Sequence, residues 1–380
     1  VLTSTAIEEI IFTNSDDYFE ALLADIDAAK TCINLETYIF RNDALGKKAL
    51  HHLTLAAKRD VKVRVLVDGA GTPSWGGTIT RELEAAGVET RVFHPLIWRW
   101  WQWRYSLIRI PLLFRVSYFL LRGNARNHRK VCLIDHHLAY VGSANIDQCH
   151  LGQSKGGKNW RDTVVKLINK GDTELHEAFD LAWQNTTIIE RIQNVFEHID
   201  THIKIRLNNT RHRRRIFYKN LLRRLSRSKQ RAWITNAYFV PDNFLLRKLI
   251  KLANAGIDVR ILLPKKSDVF LMTWATTAFY QKLLQAGVRI FEYQPSMLHA
   301  KSLIIDNWFL VGSSNMNHRS LLHDLEVDVV IESSEAQQQL EQQFFLDLAN
   351  CREIDWVTWR KNGWWKRFMG RVMLYLKYWI

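Results

Sequence analysis

Two short segments of this chain carry the same reactive side chains at the same spacing. The first reads His128-Arg129-Lys130, then Asp135, then Gly142-Ser143-Ala144-Asn145. The second reads His299-Ala300-Lys301, then Asp306, then Gly312-Ser313-Ser314-Asn315. An imidazole can act as a nucleophile or move a proton near neutral pH, and a nearby ammonium can stabilise developing negative charge. Each motif runs into an apolar, strand-like stretch. Residues i and i+2 of a strand share a face, so each His and its Lys present their heads to one place. One such triplet would fit a satisfied histidine beside a surface lysine as well as it fits a site. Two copies, each with Asp five residues beyond the Lys and a Gly-Ser-x-Asn block after it, point to one site assembled from two halves.

The elements around the motifs repeat as well. Thr37-Tyr38-Ile39-Phe40 is echoed by Ala237-Tyr238-Phe239-Val240. The apolar runs Val61 to Val67 and Ile257 to Leu263 correspond, as do Leu83-Glu84-Ala85-Ala86-Gly87-Val88 and Leu284-Gln285-Ala286-Gly287-Val288. Helix-like stretches, Asp17 to Lys30 and Phe244 to Ala255 among them, alternate with β-branched runs, which predicts α/β units with covered sheets. Tyr38 and Tyr238 are 200 residues apart, as are Gly87 and Gly287, whereas His128 and His299 are 171 apart. The first half therefore carries an insertion of 29 residues before its motif. It coincides with a Trp-, Arg- and Leu-rich stretch at about 95–123, and from Pro95 to Lys130 there is no Asp or Glu.

These blocks resemble the phospholipase D superfamily over nearly the whole chain. Within it, the sequence is most similar to bacterial cardiolipin synthases. That closer likeness rests on Glu36-Thr37-Tyr38-Ile39-Phe40, Val67-Asp68-Gly69, Asn127-His128-Arg129-Lys130, Asn159-Trp160-Arg161-Asp162 and a basic aromatic C-terminus. The resemblance implies two homologous α/β/α repeats, residues 1–195 and 196–352, packed as a pseudo-dimer with the active site at their interface. A basic aromatic amphipathic helix at 353–380 would follow. It also implies phosphatidyl transfer through a phosphohistidine. His128 would be the nucleophile and His299 the acid/base, with Lys130, Lys301, Asn145 and Asn315 stabilising charge on the phosphoryl oxygens. Asp162 and Glu326 would orient His128 and His299 through their other ring nitrogens. Asp135 and Asp306 belong to the motif but read as structural, holding neighbouring strands or loops. No metal or other cofactor is required, since the lysines supply the cationic charge.

Composition bears on where such chemistry takes place. Among 380 residues the formal net charge is +15, and there are 15 Trp. A basic balance calls for an anionic partner. Here the aromatics cluster with Leu, Ile and Phe, which favours an anionic membrane surface over nucleic acid. Trp98, Trp100, Trp101 and Trp103 of the insertion, and Trp364, Trp365, Phe368 and Trp379 of the tail, are the expected membrane contacts. No stretch of 18 apolar residues occurs, and Leu107 to Leu121 is broken by Arg109, Pro111 and Arg115. The expected setting is therefore peripheral or monotopic, and the resemblance implies the cytoplasmic side of a bacterial inner membrane, with phospholipids as substrates. The four cysteines match no zinc pattern and no dense disulfide framework and are expected as buried thiols in a reducing compartment. A lipid hydrolase or a nuclease on the same scaffold is the alternative, and a catalytically dead membrane adaptor is the more distant one. The arginine-rich run Arg211 to Arg227 fits a solvated helix face, a lipid patch or a nucleic-acid groove.

Overall fold

The computed structural model describes residues 7–106, 111, 114–115, 125–168, 173–184 and 204–361. Two mixed sheets organise them. In the first, strands β1 (Glu8–Phe12), β2 (Cys32–Thr37), β3 (Lys62–Asp68), β4 (Glu89–Phe93), β5 (Val131–Ile134), β6 (Leu138–Gly142) and β7 (Val164–Ile168) lie in the order β1-β7-β6-β5-β2-β3-β4. In the second, β8 (Ile205–Leu207), β9 (Arg231–Thr235), β10 (Asp258–Pro264), β11 (Arg289–Tyr293), β12 (Ser302–Ile305), β13 (Trp308–Gly312), β14 (Val327–Ile331) and β15 (Cys351–Ile354) lie in the order β15-β11-β10-β9-β12-β13-β14-β8. In each sheet three parallel strands, β2-β3-β4 or β9-β10-β11, adjoin an antiparallel meander, β5-β6-β7 or β12-β13-β14. The repeat seen in the sequence is a repeat of topology.

Helix spacing explains the outer layers. Helix α1 (Ser15–Ala28) is capped by Asn14, whose side chain accepts from Asp16 N, and it buries Tyr18, Phe19, Leu22, Leu23 and Ile26. Those positions form one helical face. It packs with α2 (Ala44–Lys58) and α3 (Thr78–Ala85) on one face of the first sheet. After α4 (Thr173–Gln184), the second repeat follows the same pattern with α5 (Arg211–Arg227) and α6 (Asn243–Asn254). Asp242 caps α6 by accepting from Phe244 and Leu245 N, and Leu245, Leu246, Leu249 and Leu252 are its buried face. Gly87 and Gly287, in the repeated turns, adopt φ of +88° and +85°, a conformation glycine reaches without Cβ strain.

The inner faces of the sheets meet each other. A shared apolar core joins Val131, Leu133, Val141 and Val165 of the first sheet to Leu262, Ile304, Val311 and Val329 of the second. Leu175 and Phe179 of α4 flank it, with Leu340 and Phe344 of α8 (Ser334–Ala349), which follows the short helix α7 (His318–Leu322). The expected arrangement of covered sheets in two packed repeats is thus observed. Among the described residues no helix is long and apolar enough to cross a membrane. All four cysteines are free thiols; Cys32 and Cys132 are buried as expected, whereas Cys149 and Cys351 are only half-buried.

The arginine-rich run forms α5 and divides by position. Arg214 turns in, donating to Asn208 O at 3.0 Å and Leu322 O at 3.2 Å, and Arg224 lies 4.6 Å over the Trp308 ring. Arg211, Arg215, Arg223 and Arg227 stay exposed.

Candidate active site

The two motif segments come together because each pairs with the other repeat. His128 N donates to Leu325 O at 2.9 Å and Leu325 N to Arg126 O at 2.8 Å. Arg161 N donates to Met297 O at 2.9 Å, and His299 N and Ala300 N both donate to Arg161 O at 2.8 Å. These reciprocal backbone bonds set each histidine beside a carboxylate of the opposite half. Read in chain order, the expected pairing is therefore reversed. His299 Nδ1 lies 2.7 Å from Asp162, and His128 Nδ1 lies 3.1 Å from both Glu326 oxygens. With Nδ1 committed to a carboxylate, Nε2 is the nitrogen left for chemistry in both rings.

The carboxylates are held in turn. Asp162 also accepts from Ser143 Oγ at 2.7 Å and lies 2.5 Å from His150 Nδ1. Burial opposes its ionisation, yet His150 and His299 hold it well below the usual carboxylate range. Glu326 accepts from the hydroxyls of Ser313, at 2.5 Å, and Ser320. Burial raises its carboxyl to about 7, against the pull of Lys130, Ser313 and Ser320. Burial, and then the lysine charges, lower both catalytic-candidate histidines, leaving neutral rings able to attack or accept a proton.

Each lysine folds over its own motif. Lys130 Nζ donates to His128 O and Lys301 Nζ to His299 O, both at 2.5 Å. Burial lowers Lys130 to about 7 and Lys301 to about 8. An anion placed between them favours their charged forms, so it must bind with proton uptake. Titrating inorganic phosphate or tungstate at pH 8 to 9 in buffers of different ionisation enthalpy should show net proton uptake. A binding heat independent of buffer would contradict it.

Asn145 accepts from Ile39 N at 3.2 Å, whereas Asn315 Oδ1 is buried with no hydrogen-bond partner among the described residues. Aromatic rings enclose the histidines. Tyr38 meets His128 edge-on at 5.1 Å, and Trp160 and Tyr238 lie 5.4 Å and 6.2 Å from His299.

Asp135 and Asp306 lie at the far ends of the motif strands, away from the reacting groups. Asp135 accepts from Lys30, Thr31 and Cys32 N at 2.7–3.0 Å, and Asp306 from Lys229, Gln230 and Arg231 N at 2.9–3.1 Å. Both sit at φ +50° in hairpin turns, where Asp is better tolerated than most residues. They tie each hairpin to the entry of the neighbouring strand. Asp135→Ala should cost about 2–3 kcal/mol of stability in a urea titration. An unchanged midpoint would remove Asp135 from this role.

Three residues have supporting roles that sequence reasoning did not assign to them. Arg129, between His128 and Lys130, is fully buried 3.6 Å from Glu36, which also accepts from Asn127 Nδ2 at 2.5 Å. Asp68 is wholly buried and accepts from Asn127, Ala70 and Gly71 N. It fastens the segment entering the motif. His150, the third, had no counterpart motif to draw attention to it. His150, Asp162 and His299 offer donor atoms within 4.8 Å of one another, a grouping able to hold a metal ion. Here the carboxylate receives both imidazoles directly.

The insertion departs in part from expectation. Its start packs on the loop after β3: Gln102 Nε2 donates to Gly69 O at 3.0 Å and Thr72 O at 3.1 Å. Trp103 is a core residue, not a membrane contact. It is 6% exposed, and its indole N–H donates to Leu96 O at 3.0 Å. Trp98, Trp100 and Trp101 are 63%, 74% and 37% exposed. Trp364, Trp365, Phe368 and Trp379 lie outside the described residues.

The arrangement is that of a phosphoryl- or phosphatidyl-transfer site, and comparison with known proteins agrees. A family profile described as "Cardiolipin synthase, PLD-like domain" matches residues 22–183 and 221–347. The chain is 30% identical to a cardiolipin synthase of Clostridium perfringens over 93% of its own length and 73% of that protein. It is equally identical to one of Staphylococcus aureus, over 94% and 70%. In structure it is similar to phosphatidylserine synthase of Haemophilus influenzae, with TM-score 0.67, 13% identity and coverage of 99% and 96%. A weaker likeness, TM-score 0.56 at 12% identity, links 90% of the chain to half of a polyphosphate kinase of Porphyromonas gingivalis. These two likenesses concern the fold. On the profile match and the synthase relatives, the chain belongs to the cardiolipin synthase family of phospholipase D-like phosphatidyltransferases.

Proposed function

We propose that this enzyme makes cardiolipin at an anionic membrane surface by two in-line displacements through a phosphohistidine. His128 Nε2 attacks the phosphorus of a donor phospholipid, phosphatidylglycerol or phosphatidylethanolamine. An N–P bond forms and the P–O bond to the headgroup breaks. His299, made imidazolium beside Asp162 by the bound anionic phosphodiester, gives its Nε2 proton to the departing alcohol and is left neutral. The glycerol hydroxyl of phosphatidylglycerol then enters and His299 takes its proton. The new O–P bond forms as the N–P bond breaks, which regenerates both histidines. Lys130 and Lys301, with the Asn145 and Asn315 amides, stabilise the charge on the equatorial oxygens. The observation that carries this reading is the pair of crossed imidazole–carboxylate contacts, which gives two oriented histidines in one site.

The exposed indoles support the setting. Trp98 and Trp100 project from a segment locked down by Gln102 and Trp103, with Arg104 exposed beside them. Indoles with basic neighbours suit the headgroup region of an anionic bilayer. Replacing both Trp98 and Trp100 with Ala should weaken binding to phosphatidylglycerol vesicles about tenfold to a hundredfold in a sedimentation assay. Unchanged binding would place the docking surface elsewhere. Function itself is tested by giving the enzyme vesicles of phosphatidylglycerol, alone or with phosphatidylethanolamine, and resolving the products by mass spectrometry. Cardiolipin is the expected product. Phosphatidic acid without cardiolipin would indicate a hydrolase, and unchanged lipid would favour a nuclease.

A further inference from the structure

The two carboxylates that serve the histidines are supported by unlike partners. His150 and Ser320 each lie five residues beyond the Asn of their Gly-Ser-x-Asn block, so they are equivalent positions of the repeat. In the second half, Ser320 donates a rotatable hydroxyl to Glu326. In the first half, an imidazole takes that place. His150 is 1% exposed, with Nδ1 2.5 Å from Asp162 Oδ2. Asn145 N donates to its Nε2 at 3.2 Å. Nε2 therefore accepts and Nδ1 carries the proton, so turning the ring over would break both bonds. Trp160 lies 5.2 Å from the His150 ring and 5.4 Å from the His299 ring, clamping the group from the side.

We propose that His150 is a positioning residue. It fixes Asp162, and through Asp162 the orientation of His299, and it has no equivalent action on His128. The chain His150–Asp162–His299 holds the proton-handling histidine rigidly. The Ser320–Glu326–His128 chain leaves its carboxylate supported by hydroxyls that can turn. The same ring ties down the backbone of Asn145, so one side chain sets both the acid/base partner and a phosphate-binding amide. This inference rests on the reading that His299 handles protons while His128 forms the covalent bond.

The test separates steps by leaving group. A phosphatidyl donor carrying p-nitrophenol needs little help from an acid to release it. The first-turnover burst of p-nitrophenolate therefore reports attack by the nucleophile. Steady-state transfer from phosphatidylglycerol reports the whole cycle. His150→Phe, which keeps the ring volume and loses both nitrogens, should keep the burst and lose about tenfold to a hundredfold in steady-state transfer, the pattern of His299→Ala. His150→Asn places an amide N–H where Nδ1 lies and should recover more transfer than His150→Gln or His150→Phe. Burst and steady state falling together, or Asn performing no better than Phe, would reduce His150 to a packing residue and overturn the proposal. His128→Ala and His299→Ala run alongside test the underlying reading separately. If His128→Ala kept the burst and His299→Ala lost it, the assigned roles would be reversed. His150 would still be judged by whether its Phe variant follows His299→Ala.

Discussion

His128→Ala is expected to reduce phosphatidyl transfer by about four to six orders of magnitude while leaving the fold intact. In the proposed mechanism this histidine carries the phosphatidyl group between the two half-reactions, so its loss removes the path through the intermediate. Its structural duties are small by comparison. The backbone bond from His128 N to Leu325 O survives the substitution, as does the donation from Lys130 to the residue-128 carbonyl. The measurement is cardiolipin formed per enzyme from phosphatidylglycerol vesicles, with urea unfolding as the control. A loss of only about tenfold would mean that His128 assists a direct displacement instead of carrying the group.

The second large effect concerns the carboxylates and should be unequal. Asp162→Asn is expected to lower turnover by about a thousandfold or more, and Glu326→Gln by about tenfold to a hundredfold. Asp162 faces two imidazole Nδ1 atoms and a hydroxyl, and it is held strongly ionised. An amide nitrogen there would face N–H donors that cannot turn away, so His299 would be driven to the wrong tautomer or orientation. Glu326 is raised to about 7, and two of its partners are serine hydroxyls. Hydroxyls can rotate to accept from an amide, and a neutral group resembles the protonated acid already partly present near neutral pH. Because Glu326 ionises as pH rises through about 7, the penalty of Glu326→Gln should grow from pH 6 to pH 8. The penalty of Asp162→Asn should stay flat over that range. Equal penalties with the same pH dependence would refute the asymmetry. The comparison is made from kcat in a vesicle assay.

Much of this site was legible as sequence because the repeat doubled every signal. His128, Lys130 and Asn145 are found again as His299, Lys301 and Asn315, and the differing offsets located the insertion. Asp135 and Asp306 were legible as members of the repeated motif, and in the structure they accept from the backbone at the neighbouring chain entries. The crossed pairing was not legible. It depends on Arg161 and Leu325 joining segments more than a hundred residues away through backbone bonds, which carry no side-chain signature. Trp103 was misread for a related reason. In a run of Trp and Arg, composition alone does not say which indole turns inward. The bonds of Gln102 to the Gly69 and Thr72 carbonyls fix that choice. His150, at the end of the short 3-10 helix Gln148–His150, had only its register against Ser320 to mark it, and a serine at the matching position does not suggest an imidazole.

The proposed mechanism passes through a covalent intermediate at one histidine. Enzyme mixed with phosphatidylglycerol vesicles, quenched within the first turnovers under conditions that preserve N–P bonds and digested, can be read by mass spectrometry. The expected result is a phosphatidyl adduct on the peptide containing His128, absent from His128→Ala and accumulating in His299→Ala when the p-nitrophenol donor is used. An adduct on His299 alone would reverse the assigned roles. The absence of any adduct while cardiolipin accumulates at full rate would contradict the two-step mechanism.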